Sequence, residues 1–327
     1  MLRTLILGLL GATALTGAAF AQGTGTITVY TSQPTDQMDA VVKAFNKDHP
    51  EITVEVFRSG TTELMSKLQA EFAAGSTPAD VMLIADAVAM TQMKNDDRLF
   101  AYDDAATEGI PAELVDPDHT FFGTKLLTTG IIYNTDKVTT PPTSWHDLEA
   151  PEVAAQTIMP SPLYSGAAVV HVGTMVQQDD LGWGYYETLA DNGAVAGQGN
   201  GTVLEAVARG EKSYGMIVEY MAMNAKKDGS PVDFVFPKDG VSTITQPVAI
   251  LKDSDNIEAA KVFVDWQLGR AAQEQSVEQG YFPILDGVTP PEGYPAPATL
   301  TIMKADPAVI LKDDQQLKQE FSDLFGG

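Results

Sequence analysis

"TITVYTS" (residues 26–32) followed by "QMDAVVKAFNKDHP" (37–50) is the pair of stretches on which the fold turns. β-branched and polar residues alternate through the first, the period of a half-buried strand. In the second, Met38, Val41, Val42 and Phe45 recur at helical spacing until Pro50 ends the run. "ITVEVFR" (52–58) then reads as another strand, "RSGTTELMSKLQAE" (58–71) as another helix, and "ADVMLIA" (79–85) as a strand apolar enough to be buried on both faces. Strand, helix, strand, helix, strand in succession predicts a parallel sheet with helices on its faces.

The same rhythm returns further along. "TTGIIYNTDKV" (128–138) is a strand, and "TTPPTSWHDL" (139–148) a Pro-rich turn in which Ser144 caps a short helix. "AQTIMPSP" (155–162) and "YGMIVEY" (214–220) read as strands, with "YSGAAVVHVGTMV" (164–176) and "GNGTVLEAVARGE" (199–211) as helices between them. "STITQPVAIL" (242–251) is a strand that leads into "NIEAAKVFVDWQLG" (256–269), where Ala259, Val262, Phe263 and Trp266 form a helical stripe. There is no repeat of fixed period and no low-complexity tract.

At the start, Met1-Leu2-Arg3, an apolar run from Leu5 to Leu10, and Ala19-Phe20-Ala21 before Gln22 have the layout of a secretory signal peptide, residues 1–21. The apolar run is too short to span a bilayer, and no later segment supplies ~18 uninterrupted apolar residues. The expected product is a soluble exported protein of ~300 residues, enough for two domains and hence for a cleft between them. The chain has no cysteine, which removes disulfides, thiolate catalysis and thiolate metal sites. Its 44 Asp plus Glu against 20 Lys plus Arg give a formal charge of −24, which repels nucleic acid and anionic lipid.

In "RSGTTELMSKLQAE", Leu64, Leu68 and Phe72 share one face, so the helix starts near Gly60, Thr61 and Thr62. Its first amides have no partner inside the helix. They are satisfied by a cap, for which Gly60 with Glu63 approximates a capping box, or they hold the oxygens of an anion with the helix dipole and two hydroxyls. "YSGAA" and "GNGT" pose the same alternatives at two other helix starts. Thr31 and Ser32, at the end of the first strand, are hydroxyl donors, and Arg58 either neutralises an anion or faces solvent. Asp86 and Glu219 are carboxylates that could pair with an ammonium group or accept from sugar hydroxyls. No G-x-S-x-G, H-E-x-x-H or G-x-x-x-x-G-K-[ST] motif is present, so an enzyme is not expected.

The ordered set "ITVYTSQ", "RSGTTELMSKLQAE", "PADVMLIAD", "GIIYNTDKV", "PTSWHDLEAPE", "IMPSPLYSGAA", "NGTVLEAVARGE" and "AAKVFVDWQLGRAAQE" resembles the ABC-transporter solute-binding proteins. Within them it is most similar to the ferric-ion-binding-protein-like group of type II periplasmic binding proteins, which also includes binders of sugar phosphates and aminoethylphosphonate. The resemblance implies an α/β bilobal fold whose two lobes are joined by two crossover strands, near 128–134 and 240–248. Lobe one would take residues 22–128 and 246–327, and lobe two residues 129–245. Ligand would lie between the lobes, at the carboxyl ends of the strands. Ser165, Gly166, Ala167 and Asn200 match positions that hold a phosphate or synergistic anion in ferric-binding relatives. The tyrosine pair of the iron binders falls at "VEYMAM", where only Tyr220 is tyrosine, and His49, His119, His146 and His171 lie elsewhere and suit surface or capping roles.

The expected function is therefore a periplasmic, monomeric solute-binding component of an ABC importer. It would pass a small phosphorylated or phosphonate-containing organic anion to an inner-membrane permease, with no cofactor and no resident metal. Ferric capture through Tyr220 with a synergistic anion is one alternative, and an exported phosphoester hydrolase is another.

Overall fold

The computed structural model describes residues 23–296 and 299–326, so the expected signal peptide lies outside the described residues. β1 (Gly25–Thr31), α1 (Thr35–Asp48), β2 (Ile52–Arg58), α2 (Thr61–Ala74) and β3 (Val81–Leu83) follow the expected order. β1 pairs in parallel with both other strands, Val29 standing opposite Val56 and Val81. The α1 stripe of Met38, Val41 and Phe45 is buried against Ile27, Val29, Phe263 and Trp266. Leu64 and Leu68 of α2 pack on the other face of the sheet with Tyr30 and Met82, because successive β1 residues point to opposite sides.

After α3 (Ala87–Asn95) comes the longest strand, β4 (Phe122–Asn134). The next unit contains α4 (Pro151–Ala154), β5 (Thr157–Pro160), α5 (Gly166–Met175), α6 (Gly182–Asp191), β6 (Val195–Gly197), α7 (Asn200–Ala208), β7 (Tyr214–Val218), α8 (Glu219–Lys227) and β8 (Val232–Val235). β9 (Ser242–Ile250), α9 (Ile257–Leu268), α10 (Arg270–Glu278) and α11 (Pro307–Phe325) complete the chain. The nine strands form one sheet in the order β2-β1-β3-β9-β4-β7-β5-β6, with β8 also on β4.

The two long strands make the sheet continuous. β4 begins against the end of β9, Phe122 opposite Val248, and ends against β7 and β8, Ile131 opposite Met216 and Val235. Between these ends β4 and β9 pair with each other through Thr128 and Thr243, across a register shift between Gly123 and Leu126. This is a bilobal α/β fold in which paired crossover strands join two packed halves. One half has its core around Ile27, Phe45, Val81 and Phe263, the other around Trp145, Met159, Tyr186 and Ile217.

Two elements differ from the sequence reading. The stretch 214–220 is not all strand, because β7 stops at Val218 and α8 begins at Glu219, which puts Glu219 and Tyr220 on the first turn of a helix. The C-terminal helix, placed with the first half by the 246–327 bound, touches both halves. Leu317 and Phe321 of α11 join the core of the second half beside Tyr186, while Ile310 meets Val88 of α3 and Val169 of α5.

Candidate functional site

A cleft of about 590 Å³ lies where the first turns of five helices converge, those of α1, α2, α5, α7 and α8. From the first half its wall takes Ser32, Pro34, Asp36, Arg58, Gly60, Thr61 and Glu63. The second half contributes Tyr164, Ser165, Gly166, Ala167, Asn200, Thr202, Tyr220 and Met221. A depression of about 570 Å³ on the outer side of α1 and β2, lined by Asp39, Lys43, Lys47 and Val56, has no such convergence of helix ends.

The helix starts differ in how they are closed. At α1, α2, α7 and α8 the capping residues are Pro34, Gly60, Gly199 and Val218, and none gives a side-chain hydrogen bond to the first turn. Glu63 does not reach back to the Gly60 amide; it accepts a hydrogen bond from the Ser59 hydroxyl instead, so no capping box forms at α2. At α1, α2 and α7 the first-turn amides are left as donors beside the cleft, whereas at α8 the Glu219 carboxylate faces the amides of Glu219 and Tyr220. At α5 the Ser165 Oγ accepts from the Ala168 N–H at 3.3 Å and from Asn200 Nδ2 at 3.3 Å, and Asn200 Oδ1 accepts from the Val218 N–H at 3.2 Å. Asn200 is thus a strut that ties the starts of α5 and α7 to the end of β7.

Arg58 brings the cleft wall a guanidinium group. It is exposed, its Nε donates to the Gln33 carbonyl at 3.3 Å, and it forms no ion pair among the described residues. Asp36 and Glu63 are the carboxylates of the wall. Tyr220 lies at its base, its ring centroid 4.3 Å from that of Tyr281, and burial pushes its hydroxyl up to about 12.

Of the residues singled out in the sequence, Ser32, Gly60, Thr61, Ser165, Gly166, Ala167, Asn200 and Tyr220 lie on this wall. Four residues expected with them lie off the wall. Thr31 is fully buried, its hydroxyl donating to the Leu83 carbonyl at 2.8 Å and accepting from the Gln33 N–H at 3.1 Å. Thr62, half-buried on the first turn of α2, is not on the wall, because successive helix positions point about 100° apart. Asp86 caps α3, accepting from the Ala89 N–H at 3.0 Å, and burial pushes its carboxyl up to about 6 against that hydrogen bond. Glu219 is buried behind Tyr220: its Oε2 accepts from the Thr128 N–H at 2.6 Å, its Oε1 has no partner, and burial pushes it up to about 8.

Sequence reading passed over Lys125 and Tyr281. The Lys125 ammonium, on β4, is buried, donates to Gln33 Oε1 at 3.3 Å and sits 4.6 Å from the centre of the Tyr281 ring; burial lowers it to about 7. A lone lysine in an otherwise uncharged strand, "GTKLLTTG", is the sequence signal that could have marked it. His171 is a core residue rather than a surface or capping one, its Nδ1 2.9 Å from Ser242 Oγ and its ring tilted against Trp145. Tyr30 donates to Glu71 at 2.9 Å on the far face of the sheet. Among the described residues there is no cluster of three His, Cys, Asp or Glu able to hold a metal, and no helix is long and apolar enough to cross a membrane.

Comparison with known proteins agrees with this geometry. The family model of the bacterial extracellular solute-binding proteins matches residues 31–274. A probable ABC transporter periplasmic-binding protein of Sinorhizobium fredii is 25% identical over 262 residues, 76% of this chain and 71% of its own. The Fe(3+)-binding periplasmic protein of Serratia marcescens is 28% identical over 271 residues, 79% of this chain and 78% of its own. Among solved structures, the periplasmic binding protein AfuA of Actinobacillus pleuropneumoniae, with fructose-6-phosphate bound, superposes with a TM-score of 0.83 at 21% identity, covering 92% of this chain and 98% of AfuA. With most of its length matched by that one family and its paired crossover strands flanking a cleft of helix starts, this chain belongs to the bacterial extracellular solute-binding proteins and has the fold of the type II periplasmic binding proteins.

Proposed function

We propose that the protein is the periplasmic solute-binding component of an ABC importer, and that its cleft captures a small phosphorylated or phosphonate-containing organic anion of the sugar-phosphate or aminoethylphosphonate type. The observation that carries this reading is the convergence of three helix starts without side-chain caps, those of α1, α2 and α7, on one cleft, beside an arginine that has no carboxylate partner among the described residues. Such amides are donors in search of acceptors, and the helix dipoles favour negative charge at the same place. Asp36 and Tyr220 suit the hydroxyl or ammonium groups of the organic part. Binding across the cleft favours the form in which both halves touch the ligand, and release to an inner-membrane permease then requires the halves to part.

The hinge of that motion is assigned to β4 and β9. Residues 22–128 and 246 to the end of α10 move as lobe one, and residues 129–245 with α11 as lobe two. Residues 1–21 are read as the export signal, and the working form as a monomer with no cofactor. Removal of the signal before Gln22 is checked by the N-terminal mass of the exported protein.

The test is native mass spectrometry of the protein as purified, followed by calorimetric titration with fructose 6-phosphate, aminoethylphosphonate and inorganic phosphate. Saturable 1:1 binding of one of these is expected. Arg58→Ala with Ser165→Ala should weaken it by roughly tenfold or more, the usual loss for a charge-assisted contact. Equal affinity in the double variant would reject the anion site. A second reading, ferric ion held by tyrosine with a synergistic anion, draws on the adjacent, mutually tilted rings of Tyr220 and Tyr281 at the base of the cleft. It predicts a visible tyrosinate-to-iron band that is lost in Tyr220→Phe. Release of free phosphate beyond one turnover per protein would instead favour a hydrolase.

A further inference from the structure

Gly60 and Gly166 stand where the two halves of the molecule touch beside the cleft. A Cβ built on Gly60 would lie 2.9 Å from the backbone oxygen of Tyr164. One built on Gly166 would lie 2.8 Å from Asp86 Cβ, 2.9 Å from Asp86 Oδ2 and 3.0 Å from Thr61 Cγ2. Each clash crosses from one half to the other: Gly60, Thr61 and Asp86 precede β4, whereas Tyr164 and Gly166 follow it. Real Cβ atoms do not approach other heavy atoms so closely, so a side chain at either position must push the halves apart or displace the Tyr164 carbonyl, for Gly60, or the Asp86 and Thr61 side chains, for Gly166.

Local conformation does not explain these glycines. Gly60 has φ −63° and ψ 151°, a geometry open to any residue, and as the cap of α2 it occupies a position where Ser, Thr, Asp or Asn would satisfy a first-turn amide. Gly166 is the first residue of α5 and has no positive φ, so glycine is there a poorer helix former than alanine. Elsewhere in the chain a glycine with ordinary φ can face open space: Gly184 has nothing within 4 Å of its built Cβ. Next to the contact, Val88, Val169 and Ile310 form a buried apolar cluster that joins α3 to α5 and α11, so the seam is dry and has little room to yield.

We propose that Gly60 and Gly166 set the interlobe angle: the absence of side chains lets the lobes close onto ligand, and a Cβ at either position wedges them apart. They are positioning residues as well as cleft-wall residues. This inference rests on the two-lobed fold and the seam, and it stands or falls separately from the identity of the ligand.

The chain has no cysteine, so Glu51→Cys and Glu187→Cys, both exposed and one on each half, give two unique sites for spin labels. Interlobe distance distributions are then recorded for the labelled parent, Gly60→Ala, Gly166→Val and Gly184→Ala, each with and without fructose 6-phosphate at high concentration. Gly166→Val and Gly60→Ala are expected to shift the distribution to longer distances in at least one of the two conditions, and Gly184→Ala to superpose on the parent. Thermal melting confirms that each variant is folded. Gly60→Ala, which meets a single carbonyl oxygen, keeps the test open should the packing around α5 not tolerate valine. Distributions that superpose for Gly60→Ala, and for Gly166→Val where it folds, would overturn the proposal. A shift without any effect of the sugar phosphate would uphold it while counting against that ligand.

Discussion

Lys125, on β4, and Glu219, whose carboxylate accepts from the Thr128 amide of the same strand, are buried ionisable groups, and neither has an ion-pair partner among the described residues. Burial lowers the Lys125 ammonium from 10.5 to about 7. Between those values the unfolded chain binds a proton that the folded one does not, so stability rises with pH across this window, by at most about 1.4 kcal/mol per pH unit. Lys125→Met should flatten that rise, as read from urea unfolding at pH 7 and pH 10. Glu219 moves the opposite way, from 4.5 to about 8. Here the folded chain holds the extra proton, so stability falls as pH rises from 4.5 to 8, and Glu219→Gln should remove the fall while keeping an acceptor for the Thr128 N–H. A parent profile that is the same in the variant would place the carboxyl in contact with water. Neither group could be read from the sequence as buried, because the strand and helix that carry them do not reveal what covers them.

Among the elements, the strands and the main helices were legible because their periodicity is strong: the α1 stripe and the β1 alternation appear in the core as read. The end of β7 was not, since "IVEYMAM" is apolar and β-branched at its start and gives no breaker before Glu219. The helix turns there because Val218 leaves the sheet at the cleft. Nor were the neighbours of α11 in the second half legible, as an amphipathic stripe states that a face is buried but not against what. Phe321 sits 6.1 Å from Tyr186 and 4.8 Å from Phe325, ring to ring. Phe321→Ala should cost about 3–5 kcal/mol. Hydrogen exchange should register the loss first in α5, α6 and β5, whereas a loss confined to α1 and α9 would return α11 to the first half.

For the whole molecule, the net charge of −24 opposes the capture of an anion while the local field of the helix starts favours it. Long-range repulsion is screened over about 10 Å at 0.1 M salt, but contacts inside the cleft are screened much less. The association rate of the proposed anion should therefore rise as salt goes from about 10 to 150 mM, with a small change in dissociation rate, by stopped-flow measurement. A rate that falls with salt would mean that Arg58 and the helix ends dominate the field outside the cleft. Ligand binding should also raise the melting temperature, by about 2.7 kcal/mol of added stability at a hundred times Kd.

By itself the sequence determined the α/β rhythm, the two-lobed class, the absence of thiol chemistry and most of the helix starts that meet in the cleft. These follow from short-range periodicity, from composition and from residue types whose backbone preferences are local. Only the tertiary structure decided which of those starts lack a cap, that Thr31, Asp86 and Glu219 turn away from the cleft wall, and that Lys125 and Tyr281 stand beneath it. It alone also showed how closely the other half approaches Gly60 and Gly166. The physical reason is that burial, hydrogen-bond partnership and close approach are properties of residues far apart in the chain: Asp86 and Gly166, 80 positions apart, become neighbours only when the paired crossover strands fold one half against the other.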